Sequence, residues 1–189
     1  MKKIKIGAKI PKYPMPTALV GANIDNKPNF LTVVWFSMVN FKPPIIAVVL
    51  NKKHYTNKGI KKNNTFSVNF PSADMVKITD YCSIVSGHEA DKSKFFKTFY
   101  GTLKTAPMIK ECPLTLECKL VETIAFATHE IFLGEIIETY TEERYLTNEV
   151  PDIKKINPII YTAYDNKYWK LGDYIGQAMH IGKGFKTKK

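Results

Sequence analysis

The chain has 189 residues, 44% hydrophobic and 24% charged, a composition typical of a globular protein with a buried core. No apolar run is long enough to span a membrane and no signal peptide follows the first lysines, so we expect a cytoplasmic protein. The net charge of +11 is compatible with nucleic acid, a membrane surface or anionic ligands, but only one of the 28 basic residues is an arginine, so we interpret the spread lysines as a compositional habit and expect no dedicated nucleic-acid surface.

The three cysteines, Cys82, Cys112 and Cys118, form no CxxC pair, and their odd number disfavours a disulfide framework. Cys118 falls on the apolar phase of a predicted strand, which predicts a buried thiol. Cys82 and Cys112 are open to two interpretations, as buried thiols or as exposed, redox-active ones.

The first part of the chain predicts an arm followed by strands. Residues 2–10 favour an edge strand or an arm, and the prolines at 11, 14 and 16 favour a stiff, extended entry. Residues 17–24 predict a strand, and the Asp-Asn-Lys-Pro sequence at 25–28 predicts the turn that reverses it.

Residues 29–58 carry the functional prediction. An apolar run at 30–36 and a second one at 45–50, separated by Lys42-Pro43-Pro44, are typical of buried strands. The donor-rich residues 51–58 follow, with Thr56 as the expected N-cap of a helix over 57–62. A helix N-terminus with free amides, a hydroxyl and adjacent lysines predicts an anion site suited to phosphate.

The remaining elements follow from alternation and capping residues. Residues 65–70 predict a half-buried strand, Asp74 an N-cap for a helix to about 82, and Asp91 an N-cap for a short helix. The clearest period-2 pattern covers 114–126, and 128–140 predicts its antiparallel neighbour. Further expectations are a helical turn within 142–150, a hairpin over 161–171 and a fraying basic tail at 182–189.

These elements predict one mainly β domain, residues 1–189, with six to eight antiparallel strands forming a small closed barrel and short helices at its edges. The chain has no GxGxxG and no HExxH motif, and its four histidines are not at metal-ligand spacing. A Rossmann cofactor site, metal catalysis and hydrolysis therefore have little support.

Three segments, in chain order, resemble the flavin reductase-like family, and its flavoredoxin branch in particular. They are TVVWFS at 32–37, KKHYTN at 52–57 and THEIFLGE at 128–135, and the resemblance covers about residues 10–184. It implies a Greek-key FMN-binding split β-barrel, normally a homodimer with one FMN per subunit near the interface.

The resemblance also implies the cofactor contacts. Asn29 and Trp35 would lie against the flavin, and Lys52, Tyr55 and Thr56 would hold its phosphate, with Lys92 as a second cation. The edge of the isoalloxazine would meet the backbone groups of Val33, Val34, Trp35, Phe36 and Ser37.

Two further positions face the ring in this resemblance. His129 would lie where a nicotinamide stacks, and Tyr164, or equally Tyr161, would cover the ring.

Each of these residues also has an ordinary structural interpretation. Trp35 is equally suited to core packing. Asn29 is a common residue after a turn, Lys92 a solvated loop lysine, and His129 a polar residue that pairs across a sheet. Thr56 with Lys52 would otherwise be a capped surface helix with a solvated lysine.

Two redox functions follow from the resemblance. One is an NAD(P)H:flavin oxidoreductase, with NADH or NADPH as co-substrate. The other is a flavoredoxin-like carrier that takes electrons from a protein, for which the lysine-rich surface suits an acidic partner such as ferredoxin. A separate alternative is a small basic barrel that binds single-stranded nucleic acid through stacked aromatics.

Overall fold

The computed structural model describes residues 1–185; residues 186–189 of the predicted basic tail lie outside the described part. The strands, numbered along the chain, are β1 (Pro14–Pro16), β2 (Ala18–Ile24), β3 (Lys27–Val33), β4 (Phe36–Asn40), β5 (Ile45–Asn51), β6 (Thr65–Phe70), β7 (Thr98–Phe99), β8 (Met108–Ile109), β9 (Leu114–Ala125), β10 (His129–Thr141), β11 (Leu146–Thr147), β12 (Val150–Pro151), β13 (Ile160–Thr162) and β14 (Lys167–Trp169). The helices are α1 (Thr56–Asn63), α2 (Val76–Ile84) and α3 (Ile153–Ile156), with 3-10 turns at Ala73–Met75, Lys92–Phe95 and Glu143–Tyr145.

Seven strands form one antiparallel sheet in the order β3-β2-β6-β9-β10-β5-β4. The two edge strands, β3 and β4, are consecutive in the chain and are separated only by Val34 and Trp35. The Trp35 carbonyl accepts a hydrogen bond from the Val49 amide at 2.9 Å. The sheet therefore curls until its edges meet, as in a split barrel, and the apolar run at 30–36 is divided between two strands.

The core lies inside this curled sheet, where α1 closes one side. Phe66 of β6, Phe132 of β10 and Ile60 of α1 are fully buried. Gly134 allows the close approach of Phe66, because a Cβ at this position would stand 2.3 Å from the Phe66 ring. Burial of such side chains is the main source of stability in a sheet of this kind.

The predicted half-burial of residues 65–70 is wrong, because both faces of β6 are covered. On the polar face, the Ser67 hydroxyl donates to the Pro107 carbonyl. The Asn69 side chain donates to the Leu19 carbonyl at 2.9 Å and accepts from the Ile109 amide at 2.9 Å. Alternation shows which residues share a face, but it cannot show that a loop 40 residues later covers the polar one.

Four local predictions can be compared directly with the structure. Asp91 caps its short helix as expected, accepting from the Ser93 amide at 3.1 Å. Asp74 does not cap α2; it lies inside the 3-10 turn that precedes it. All three cysteines are buried, so the exposed alternative for Cys82 and Cys112 is wrong. Residues 2–10 form no strand and are exposed, which agrees with an arm.

None of the helices among residues 1–185 combines the length and apolar character that a membrane crossing requires.

Candidate functional site

The first half of the site lies where the two sheet edges meet. His129 pairs with Asn51 across β10 and β5, and its ring centroid lies 5.1 Å from that of Trp35. Val33, Val34 and Val49 complete the lining of a cavity of about 170 Å³ next to these rings. The fold thus brings together His129 and the segment around Trp35, as the resemblance implied, although the two are far apart in sequence.

The second half is the N-terminus of α1, which follows β5 directly. Asn51 makes the turn between them: its side chain accepts from the Lys53 amide and its carbonyl accepts from the His54 amide, both at 3.0 Å. Because an Asx turn fixes the Lys53 amide and a backbone turn fixes the His54 amide, the chain reverses within three residues and α1 begins at Thr56.

Thr56 is not the N-cap that the sequence predicts. Tyr55 precedes the helix with helical φ and ψ, so no extended residue is in place to cap it. The Thr56 side chain is buried and its hydroxyl accepts from the Asn29 amide group at 2.8 Å. Asn29 and Thr56 therefore meet as expected near one site, but they bond to each other and leave the helix end uncapped.

Within residues 1–185, the backbone N–H groups of Tyr55 and Thr56 donate no hydrogen bond. Free amides at a helix N-terminus attract an anion, and here Lys52 and Lys53 add positive charge. A cavity of about 180 Å³ adjoins these amides, lined by Lys53 and His54 and, opposite them, by Ser83 at the end of α2 and the loop at residues 85–87. The amides and lysines of the predicted anion site thus lie together, without a capping hydroxyl, and phosphate binding there stays a prediction.

Lys92 secures this loop. Its ammonium group donates to the carbonyls of Cys82 at 3.2 Å and Val85 at 2.8 Å, at the C-terminal end of α2, and only 2% of the residue is exposed. Burial lowers the pKa of Lys92 and raises the pKa of the Cys82 thiol to about 11. A cation suits the negative end of a helix dipole, so Lys92 stabilises the loop; its role as a phosphate ligand stays a prediction.

The loop itself was missed by sequence reasoning, apart from Lys92. Gly87 comes so close to Asn29 that a Cβ would stand 2.2 Å from the Asn29 carboxamide oxygen. The His88 ring stacks on Tyr55 with centroids 3.8 Å apart. A glycine between Ser86 and His88 in a polar loop was the available signal, since such a glycine permits close backbone approach to a ligand site.

His54 links the two halves, because it lines both the cavity at α1 and the cavity at Trp35. Desolvation, with the positive charges of His129 and Lys92, lowers the pKa of His54. Glu130 lies on the other face of β10 and does not orient His129: it accepts from Lys61 at 2.6 Å and from Asn57 at 3.1 Å. The Lys61 hydrogen bond lowers the pKa of Glu130.

Other predicted residues lie outside these cavities. The Phe36 ring packs on the core, with its centroid 5.8 Å from that of Phe70, and a backbone contact of Phe36 with the flavin stays a prediction. Ser37 is exposed on β4. Tyr164 is 64% exposed at the turn between β13 and β14, while Tyr161 packs against Tyr168. The roles of Ser37, Tyr161 and Tyr164 therefore stay predictions.

Comparison with known proteins decides the family. Residues 10–169 match the profile of the Flavin reductase like domain. The chain belongs to the flavin reductase-like family. The resemblance and the split-barrel fold are thereby confirmed, and the nucleic-acid alternative gains no support.

Within this family, the chain is similar to two solved flavoredoxins. The structure from Methanosarcina acetivorans has 54% identity and a TM-score of 0.95, and covers 97% of this chain and 98% of its own. The flavoredoxin of Desulfovibrio vulgaris (Miyazaki F) has 34% identity and a TM-score of 0.89, over 97% and 100% of the two chains. An uncharacterized protein of Archaeoglobus fulgidus is 30% identical over 75% of this chain and 80% of its own.

Proposed function

We propose that this flavin reductase-like protein binds FMN, with the phosphate at the N-terminus of α1 and the ring along the segment that joins β3 to β4. One observation carries the proposal: His54 lines both the anion cavity and the cavity beside Trp35 and His129, so the two cavities are neighbours that share a lining residue. A phosphate tethered to a flat ring needs such a pair of neighbouring cavities.

The residues present fit this cofactor. The amides of Tyr55 and Thr56 and the charges of Lys52 and Lys53 would hold the phosphate. Val33, Val34 and Trp35 would line the ring, and the Asn29–Thr56 hydrogen bond would fix β3 against α1 at the boundary between ring and phosphate. When bound, FMN would supply the redox chemistry, and the protein would supply binding, orientation and electrostatics.

The positive charges near the site would stabilise an anionic ligand as well as bind its phosphate. Lys52, Lys53, Lys58 and Lys61 line a cavity of about 510 Å³ over α1 that contains a single carboxylate, Glu130. Such an excess of positive charge stabilises an anionic form of a bound ligand. Formation of an anionic reduced flavin at this site would therefore require no general base from the protein.

Comparing FMN with riboflavin tests the phosphate site. Replacing Lys52 and Lys53 by Ala removes two exposed cations, and we expect the FMN dissociation constant to rise about 10- to 100-fold because charge-assisted hydrogen bonds to phosphate are lost. The riboflavin constant should hardly change, as measured by quenching of flavin fluorescence. Lys62→Ala is the matched control, because Lys62 lies at the other end of α1 and pairs with Asp25. An equal loss for both ligands would contradict the assigned phosphate site.

Whether the protein is an NAD(P)H:flavin oxidoreductase or an electron carrier is a matter for kinetics. His129 is half-buried beside Trp35, which leaves a face where NADH or NADPH could approach. We expect anaerobic bleaching of the bound flavin by one of these nucleotides if the protein is a reductase. Bleaching only by a reduced, acidic protein such as ferredoxin, weakened by salt, would instead identify a carrier.

We also propose a homodimer. The outward face of β5 and β10 presents Val49, Ile131 and Leu133 in adjacent cross-strand pairs, next to the cavity at Trp35. Half-exposed apolar side chains on a sheet face indicate a protein interface. Sedimentation of the wild-type protein as a dimer at micromolar concentration would support this assembly, and a monomer would contradict it.

A further inference from the structure

The C-terminal arm, defined as residues 170–185, is apolar but nearly uncovered. Every residue in it is exposed except Gly176, which is half-buried beside Ile181 of the same arm. Segments that are exposed along their whole length are usually rich in polar residues. This one carries six large apolar side chains with exposures from 49% to 92%: Leu171, Tyr174, Ile175, Met179, Ile181 and Phe185.

The arm starts beside the proposed flavin site. Tyr168, just before it, donates its hydroxyl to Asp80 of α2 at 2.9 Å. Ser83, in the last turn of the same helix, lines the cavity at Thr56. Although the arm leaves from this position, its apolar side chains are exposed, so its own subunit does not cover them.

A matching apolar surface lies at the other side of the site. On the outward face of the sheet, Ile131 pairs with Val49 and with Ile124. The surface ends at Phe126, which is 57% exposed and whose amide donates to the His129 carbonyl at 2.8 Å. The apolar surface therefore extends to His129, whose ring lies beside that of Trp35. This face carries Glu122, Glu135 and, opposite Glu135, Lys119, while the arm contains Lys170, Lys183 and Asp173, so the net charges of the two surfaces are −1 and +1.

The arm lies outside the matched family domain but largely inside the region that this chain shares with the two flavoredoxins. The family domain ends at residue 169, just before it. The two flavoredoxin structures, in contrast, align with 97% of this chain, so most of the arm belongs to what this chain shares with them.

We propose that the arm of one copy packs on the outward β5–β10 surface and Phe126 of a second copy, where it forms part of the wall of that copy's flavin site. Each arm then covers apolar surface that neither subunit covers alone, and a two-fold arrangement satisfies both arms and both faces. This inference rests on the proposed homodimer, but not on the identity of the cofactor.

The first test is a pair of double variants in the arm. Ile175→Asp with Met179→Asp places two charges where apolar contact is expected, and Gln177→Asp with Ala178→Asp adds the same charge to the same arm. We expect the dimer dissociation constant from sedimentation to rise about 100-fold for the first variant and to stay within about 3-fold for the second. Equal dimerisation of wild type and both variants would overturn the inference.

The second test distinguishes a partner's surface from the arm's own subunit. The native cysteines are buried, so Phe126→Cys and Ile175→Cys would each supply an accessible thiol. Mixing the two single variants with a bismaleimide reagent should give a product that contains both chains. A product confined to one chain in the double variant, or no product in either experiment, would contradict packing on a second copy.

These outcomes are independent of the flavin proposal. A colourless protein that still gives the cross-link between copies would refute FMN binding alone. A wild-type monomer would refute the homodimer and this inference together, whatever cofactor is bound.

Discussion

The two faces of β10 differ in burial and in the contacts of their side chains, although their residues alternate along one strand. On the inward face, Glu130, Phe132 and Gly134 are buried, and the Glu130 carboxylate is fully engaged with Lys61 and Asn57. On the outward face, His129 and its neighbours are only half-buried. Polar and apolar groups on the inward face stabilise the subunit, whereas those on the outward face are available to a cofactor or a second copy.

This contrast shows how one sheet serves two purposes. Shifting the pairing register of the strand by one residue would move each side chain from the core to the binding surface or the reverse, so the register determines function as well as stability. The same rule applies on β5, where Val48 is buried and Val49 lines the cavity at Trp35. Variants of neighbouring residues should therefore affect different measurements.

The largest expected effect is on the inward face. Phe132→Ala should lower the free energy of unfolding by about 3–5 kcal/mol, because it removes a fully buried ring and leaves a cavity. Urea unfolding measures this loss. Leu133→Ala, one position away, should cost the subunit about 1 kcal/mol or less and should weaken self-association instead. Similar unfolding losses for both variants would remove the distinction between the faces.

The next effect concerns the carboxylate under α1. Glu130→Ala should lower the free energy of unfolding by about 2 kcal/mol at pH 7, since charge-assisted hydrogen bonds to a largely buried carboxylate are lost. The lowered pKa of Glu130 gives the sign of its pH dependence: its contribution is complete above its ordinary value of 4.5 and is lost as the pH falls below it. The difference between variant and wild type should therefore shrink in acid, as seen in urea unfolding at pH 3 and 7.

A variant of His129 separates binding from stability. His129→Ala should change the free energy of unfolding by no more than about 0.5 kcal/mol, because the side chain is half-exposed. We expect it to weaken both FMN and riboflavin, about 10-fold, because the ring and not the phosphate faces Trp35. A loss for FMN alone would place His129 at the phosphate and contradict the assigned orientation.

The smallest effect concerns His54. Its lowered pKa means that the unfolded chain binds the proton more readily, so its contribution to stability is complete above the ordinary value of 6.5 and declines as the pH falls through it. His54→Gln should remove this part of the pH dependence between pH 7.5 and 5.5. An unchanged profile would show that other histidines account for it.

Much of this arrangement could be read from the sequence, and the failures have physical causes. The strands around 114–126 and 128–140 were predictable because their alternation is strong and their hairpin is local. The grouping of lysines at the start of α1 was predictable because a helix N-terminus and adjacent charges are local features, whereas the position of Trp35 beside His129 came from the family resemblance. The ligand contacts of these residues stay predictions.

What could not be predicted depends on contacts between distant segments. Thr56 appeared to be a cap because nothing local shows that Asn29, 27 residues earlier, would bond to its hydroxyl. The burial of β6 on both faces and the use of Lys92 on the carbonyls of α2 are of the same kind. The loop at residues 85–88 has no periodicity, so only its glycine indicated close packing.

The short connection between β3 and β4 has a consequence for how the molecule opens. At this point the barrel wall is joined by two residues of covalent chain, and the 2.9 Å hydrogen bond from the Val49 amide to the Trp35 carbonyl extends the β4–β5 ladder up to that junction. Among the amides of the seven-stranded sheet, exchange should therefore be fastest along this seam in the cofactor-free protein. A flavin ring bound across this junction would contact both flanking strands, so saturation with ligand should slow amide exchange on both strands together.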